Sequence, residues 1–209
     1  MSERRLVALN GSPRRGSSLD RLLEAMGDGA REAGGGFDHF HAYEMDVKAC
    51  IACGPEPTTG YCIFHDAMDP VYAALERAHA VVVGSPIYFD TVSAPLKLVI
   101  DRCNCVTMLM RTDDGSTKFR PRWRRTRRGV FVAVSGERNV WHLAERTVRG
   151  FMKWTGTKWE ETLVFQHDDN ELGSVERHPE LLARARTIGR RLIESPPLEP
   201  VPEPERSPQ

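Results

Sequence analysis

Asn10-Gly11-Ser12-Pro13-Arg14-Arg15-Gly16-Ser17-Ser18 crowds backbone amides, three hydroxyls and two guanidinium groups into nine residues. That mixture is suited to holding a phosphate or another oxyanion. The stretch follows the apolar run Leu6-Val7-Ala8-Leu9 and precedes an amphipathic segment, so a buried strand turns through a Gly/Ser loop into a helix N-terminus. There the amides converge and the helix dipole adds positive potential. No Gly-Lys-Ser/Thr follows the spacer, and G-x-G-x-x-G is absent, so this is neither a Walker loop nor the dinucleotide fingerprint. The plainer reading is a strand-to-helix turn in which Ser17 merely caps the helix. A second chemical resource is cysteine. Five cysteines, an odd number, in a chain whose N-terminus leads straight into a core strand argue against a disulfide framework. They leave free thiols, a metal or cluster site, or redox chemistry.

Three very apolar runs must position such loops: Leu6–Leu9, Ala80–Gly84 and Val130–Val134. Each has the composition of a strand buried on both faces of a parallel sheet. Each ends in a Gly/Ser/Pro loop, at residues 10–18, 84–91 and 135–140. Apolar positions repeat at helical spacing over 19–33, 66–78, 93–102, 141–154 and 179–193, and residues 37–43 and 158–165 read as further strands. Residues 44–67 and 104–128 read as irregular. His39 and His41 share a face of the second strand; solvent-facing edge histidines are the expectation, a metal site the alternative. The β-α-β alternation predicts a parallel sheet covered by helices on both faces, with ligands at the carboxyl ends of the strands. Residues 1–194 are expected to form one domain, and the proline-rich stretch 195–209 a disordered tail.

Twenty-nine basic and 29 acidic residues balance to a net charge of zero, which argues against a nucleic-acid partner or an acidic one. No apolar stretch reaches membrane-spanning length, so no membrane partner is expected and the expected location is cytoplasmic.

Taken together, N-G-S-P-R, the C-I-A-C before Cys62, D-A-M-D-P, G-S-P-I-Y and S-A-P-L-K-L-V-I-D-R resemble the NADPH-dependent FMN reductase and flavodoxin-like flavoprotein family. The match runs over residues 4 to 136, in the family's order. The resemblance implies a flavodoxin-like, doubly wound, five-stranded parallel sheet of order 2-1-3-4-5 with helices on both faces. It implies phosphate contacts of FMN from Ser12, Arg14, Gly16, Ser17 and Ser18. Pro86, Ile87, Tyr88 and Phe89 would lie along the isoalloxazine, and Ser135, Gly136 and Glu137 would border it. The implied activity is an NAD(P)H-dependent FMN oxidoreductase. It would pass a hydride from NADPH or NADH to the flavin, then reduce a small acceptor such as a quinone, a flavin, an azo or nitro compound or a metal ion. A homodimer or homotetramer is implied, because such enzymes commonly complete the flavin site between subunits.

Cys50, Cys53 and Cys62 resemble the cluster-binding segment of iron–sulfur flavoproteins, which carries four cysteines; Gly54, Pro55 and Glu56 stand where the third ligand would fall. A [4Fe–4S] cluster generally takes four thiolates, so a cluster is possible on these residues but not expected. A flavodoxin-type electron carrier is the remaining alternative, disfavoured by the neutral charge. The segment 118–128, KFRPRWRRTRR, holds seven basic residues and no acid. It reads as a solvated or interface loop, a site for the 2′-phosphate of NADPH, or a nucleic-acid contact.

Overall fold

The computed structural model describes residues 3–53, 61–111, 114–136, 140–167 and 171–200. In chain order the elements are β1 (Arg5–Asn10), α1 (Ser18–Glu32), β2 (Gly36–His41), α2 (Met68–Arg77), β3 (Ala80–Tyr88), β4 (Thr91–Val92) and α3 (Ala94–Arg102). Then follow β5 (Thr107–Arg111), β6 (Thr117–Pro121), β7 (Arg127–Ser135), α4 (His142–Trp154), β8 (Thr157–Gln166) and α5 (Pro179–Glu194).

Five parallel strands run in the order β2-β1-β3-β7-β8, which is 2-1-3-4-5 when only these five are numbered. Two-residue β4 adds a sixth, antiparallel strand on β3. Side chains alternate across the sheet, and both sets are apolar in the central strands. Leu6, Ala8, Ala80, Val82, Val130 and Val132 pack under α1 and α5. Val7, Leu9, Val81, Val83, Phe131 and Ala133 pack on the opposite face under α2, α3 and α4. Helices α1 and α5 touch backbone to backbone: a Cβ on Gly29 would lie 1.9 Å from the Arg186 carbonyl oxygen, and one on Gly189 would lie 1.9 Å from that of Met26.

The segment expected to be irregular over 104–128 contains an antiparallel hairpin, with Thr107 opposite Pro121 and Arg111 opposite Thr117. Its basic end is in part structural: Arg124 and Arg125 are exposed in a loop, as expected, whereas the residues on either side of them are packed. Trp123 is buried, Arg125 Nη1 donates to the Arg77 carbonyl (3.0 Å), and Arg128 pairs with Glu160 at 2.7 Å. Arg127 is 1 % exposed and donates to the carbonyls of Leu75 (2.6 Å), Thr155 (2.8 Å) and Glu76 (3.3 Å). Those carbonyls sit at the C-terminal ends of α2 and α4, where a cation is favoured by both dipoles.

The proline-rich stretch begins packed. Ser195 accepts a hydrogen bond from Arg4 and Pro196 one from Arg128, both 3.2 Å; residues 201–209 lie outside the described residues. No helix among the described residues is long and apolar enough to cross a membrane.

Candidate functional site

The carboxyl ends of β1, β3 and β7 lie side by side, with Asn10 opposite Gly84 and Gly84 opposite Val132. The chain reverses its strand order between β1 and β3, and the loops there diverge to leave a crevice.

The first loop is organised by Asn10 and Asp20, both buried. Asn10 Oδ1 accepts the Ser12 amide (2.8 Å), while its Nδ2 donates to Asp20 Oδ1 (3.0 Å). Asp20 Oδ2 accepts the Gly16 amide at 2.7 Å, and Gly16 takes a left-handed φ of 68° that closes the turn without strain. Ser17 caps α1, its hydroxyl accepting the Asp20 amide at 3.2 Å. Ser12 Oγ bridges the Arg14 carbonyl and amide at 3.1 and 3.2 Å. Arg14 is exposed, and its guanidinium has no partner among the described residues.

Ser18 departs from the expected role. It is buried, and its hydroxyl is engaged by Ser174 Oγ and by the Val175 amide, both at 3.2 Å. It anchors the turn before α5 and does not face an anion. The loop therefore offers the Ser17 hydroxyl, one guanidinium unpaired among the described residues and the N-terminus of α1, a donor set that fits a phosphate dianion, while the Ser12 hydroxyl would have to turn from the Arg14 carbonyl to join them.

The second loop is laced to the first. Gly11 donates its amide to the Gly84 carbonyl (2.8 Å), and Ser93 Oγ donates to the Gly11 carbonyl (2.7 Å). Ser85 Oγ accepts the Ser93 amide at 2.9 Å. A Cβ on Gly11 would meet Ser93 Oγ at 2.7 Å and Leu96 Cβ at 2.9 Å, so only glycine fits the seam. Pro86 and Ile87 are half-buried along β3 and Tyr88 is exposed. Phe89 and Asp90 turn the chain back into β4 with φ of 48° and 61°, and Phe89 is fully exposed. Two successive left-handed residues are what a two-residue hairpin demands, and a phenylalanine in that position carries strain. In the third loop Ser135 is buried, its carbonyl accepting the His167 amide (3.0 Å), and Gly136 is exposed beside it. Glu137 lies outside the described residues.

Asn10, Asp20, Ser85 and Ser93 were not among the expected site residues, because their work is to hold loops and they carry no motif of their own. The histidines also differ from expectation. His39 and His41 turn inward, with side chains 10 % and 6 % exposed, because β2 alternation puts them on the α1 side beside Asp20 and Glu24. Burial, reinforced by His39, pushes the pKa of His41 down.

The start of β7 does not reach the crevice. Arg127 and Arg128 begin β7 and Ser135 ends it, eight residues on from Arg127, so about 26 Å of strand separates Arg127 from the third loop. Within one chain, the burial of Arg127 and the pairing of Arg128 with Glu160 count against these two as ligands of a 2′-phosphate; Arg124 and Arg125 are exposed. Two clefts, of about 490 Å³ between α1 and α5 and about 370 Å³ beside Cys50, include no residue of the three loops.

Cys50 and Cys53 are exposed, Cys62 and Cys103 buried, Cys105 half-buried, and all five are free thiols. Gly54, Pro55 and Glu56 lie outside the described residues. Burial pushes the Cys103 thiol pKa well up, and Cys105 lies against the Tyr72 hydroxyl (3.6 Å) and the Arg102 carbonyl (3.2 Å). Among the described residues no three cysteines come within reach of one metal ion. The segment carries three cysteines, one short of the four thiolates that a [4Fe–4S] cluster generally takes, with Cys103 buried and Cys105 half-buried.

The cysteine segment is fastened to α3 by a buried ion pair. Arg102, 1 % exposed, holds Asp66 through Nη1 (2.5 Å) and Nη2 (3.2 Å) and also donates to the Lys48 carbonyl (2.9 Å). Burial opposes the charge on Asp66, but the Arg102 guanidinium and the Met68 and Lys48 amides outweigh it and hold the carboxyl pKa below its usual value. A depressed carboxylate contributes stability above the unfolded pKa and loses it as pH falls through the folded one. Denaturant titrations at stepped pH are therefore expected to show stability dropping as pH falls below about 4, and Asp66→Asn to flatten that limb.

A family model described as NADPH-dependent FMN reductase matches residues 4–158. An iron–sulfur flavoprotein of Methanosarcina thermophila is 24 % identical over 189 residues, 90 % of this chain and 89 % of that one. One from Archaeoglobus fulgidus is 30 % identical over 96 residues, 46 % of this chain and 44 % of that one. Among solved structures, an NAD(P)H:quinone oxidoreductase from Methanothermobacter marburgensis superposes with a TM-score of 0.67 at 20 % identity, covering 93 % of this chain and 98 % of its own. A flavodoxin from the domain Archaea gives 0.53 at 14 % identity, with 91 % and 96 % covered. The fold is flavodoxin-like, and the chain is an oxidoreductase belonging to the NADPH-dependent FMN reductase family.

Proposed function

We propose that the crevice between the first and second loops binds FMN and that the chain is an NAD(P)H-dependent oxidoreductase acting on a small acceptor. The observation that carries this reading is the unpaired Arg14 guanidinium beside Ser12, Ser17 and the N-terminus of α1, with the loop held rigid by Asn10 and Asp20. Ser12 and Ser17 hydroxyls and the N-terminus of α1 bind the phosphate, and Arg14 neutralises it. Pro86, Ile87 and the exposed Tyr88 and Phe89 flank the ring, while Ser135, Gly136 and Glu137 border it from the third loop. Bound FMN supplies hydride chemistry at its N5 position. The protein's share is to bind, to orient and to keep water from the face it covers.

Quinones, free flavins, azo or nitro compounds and metal ions are acceptors of the right class. The exposed hairpin tip at Phe89 supports completion of the site by a second copy, in a homodimer or homotetramer in the cytoplasm. A second reading, an iron–sulfur flavoprotein, is favoured by Cys50, Cys53 and Cys62 together with the Methanosarcina thermophila relative.

Both readings are tested by an anaerobic absorbance spectrum with flavin and iron quantified, before and after NADPH. One FMN per chain, no iron and prompt bleaching are expected. Arg14→Ala is expected to weaken FMN about 10- to 100-fold, the worth of one charge-assisted contact. Iron near four per chain replaces the first reading by the second, and flavin content unchanged in the Arg14 variant removes the assigned phosphate site.

A further inference from the structure

Behind the first loop, three lone pairs converge on one point. The ligand atoms of Asp20, His39 and His41 all lie within 4.8 Å of one another. Asp20 Oδ1 is 3.5 Å from His41 Nε2 and 3.9 Å from His39 Nε2, and the side chains are 13 %, 6 % and 10 % exposed. Donor atoms about 2.0–2.2 Å from a tetrahedral ion stand about 3.3–3.6 Å apart, so small shifts would close this set on a metal.

The tautomers are fixed by what surrounds them. Asn10 Nδ2 donates to His39 Nε2 (3.1 Å), since Asn10 Oδ1 is already taken by the Ser12 amide. Arg15 Nη1 donates to His41 Nε2 at 2.7 Å, and a guanidinium has no lone pair to give. Both Nε2 atoms are therefore acceptors facing the shared centre. His39 Nδ1 lies 2.7 Å from Glu24 Oε1, to which it donates. A carboxylate behind a ligating imidazole is the arrangement that orients histidines on zinc.

We propose that Asp20, His39 and His41 form a binding site for a divalent transition-metal ion, with zinc the best match to two imidazoles and a carboxylate. Arg15 is the competing cation. It covers the mouth from an exposed position, paired with Glu44. Its departure would break the exposed pair with Glu44 and the part-buried bond to His41 Nε2, freeing that lone pair, and Asn10 Nδ2 would have to swing off His39 Nε2 and Asp20 Oδ1 for the ion to enter. An ion on Asp20 Oδ1 leaves Oδ2 on the Gly16 amide, so it would fasten the base of the first loop from behind. The site is independent of the flavin reading.

The test is calorimetric titration of zinc chloride into the full chain after alkylation of the exposed Cys50 and Cys53, which removes the rival thiols. One ion per chain is expected. Glu24→Gln should weaken zinc about 10- to 100-fold, and the double variant His39→Ala/His41→Ala by more. Arg15→Ala should tighten it at least about tenfold, a gain that a misfolded chain would not show. No zinc uptake by the alkylated chain, binding that survives loss of both imidazoles, or an Arg15→Ala variant that binds no tighter overturns the site. Should the double histidine variant fail to fold, Arg15→Ala decides alone.

Discussion

Gly189→Ala is expected to destabilise the protein by about 3 kcal/mol or more, against the ordinary preference of helices for alanine of about 1 kcal/mol. The added carbon would sit 1.9 Å from the Met26 carbonyl oxygen and 2.6 Å from its carbon. Both are backbone atoms in the middle of α1, so no side chain can rotate away and the two helices must separate. Separation would loosen Met26, Ala30, Ala185, Ile188 and Leu192, all of which are buried in that layer. Gly29→Ala offers the reciprocal clash, 1.9 Å from the Arg186 oxygen, and should cost a similar amount. For a domain of this size 3 kcal/mol corresponds to a drop of about 6–12 °C in Tm. Gly150 supplies the control. It lies within α4 with no atom within 4 Å of an added Cβ, and Gly150→Ala should raise stability by about 0.5–1 kcal/mol. Opposite signs at two helical glycines, read by thermal melts, would establish that the helix contact and not helix propensity governs position 189. A neutral Gly189→Ala would mean that α1 and α5 are not in backbone contact.

Arg127→Met is expected to cost about 3–5 kcal/mol while leaving nucleotide preference unchanged. Burial, aided by Arg125, pushes this guanidinium's pKa down to about 10, still far above neutrality, so the charge is kept inside. It is kept because carbonyls at two helix ends and the face of Trp123, 4.8 Å away, solvate it in place of water. Methionine fills most of the volume but leaves those carbonyls unpaired. Urea unfolding measures the loss, and steady-state kinetics with NADPH and NADH on the folded fraction measure the preference. A selective rise in KM for NADPH would assign this arginine the 2′-phosphate role that its burial argues against.

The same residue shows where sequence reasoning stops. The central strands were legible because Leu6–Leu9, Ala80–Val83 and Val130–Val134 are apolar on both faces, and only a sheet covered on both sides can use them so. The turn from β1 into α1 was legible for a similar reason, since Asn10-Gly11-Ser12-Pro13 breaks the apolar run and Ser17 caps the helix that follows. Arg127 looked like one of seven equivalent cations, and only the tertiary placement of the α2 and α4 termini makes it a core residue. His39 and His41 were legible as sharing a face but not as facing inward. What turns them is Asp20 and Glu24 on a helix whose position is set by its contact with α5. The hairpin of β5 and β6 escaped notice because its second strand lies in a charge-rich run, where pairing between strands overrides composition.

The crevice draws its three walls from strands that end at Asn10, Tyr88 and Ser135, far apart along the chain. The strands that carry them are parallel to one another, so the three walls are brought together only by pairing between distant segments, even though the tip of β3 folds locally onto β4. During synthesis no nascent fragment can hold a ligand there until β7 has emerged and docked against β3. Parallel pairings between distant segments form slowly because chain closure must precede any gain from contact. Completion of the crevice is thus a late event in folding, and a ligand that needs all three walls would report on completion of the sheet, not on its beginnings.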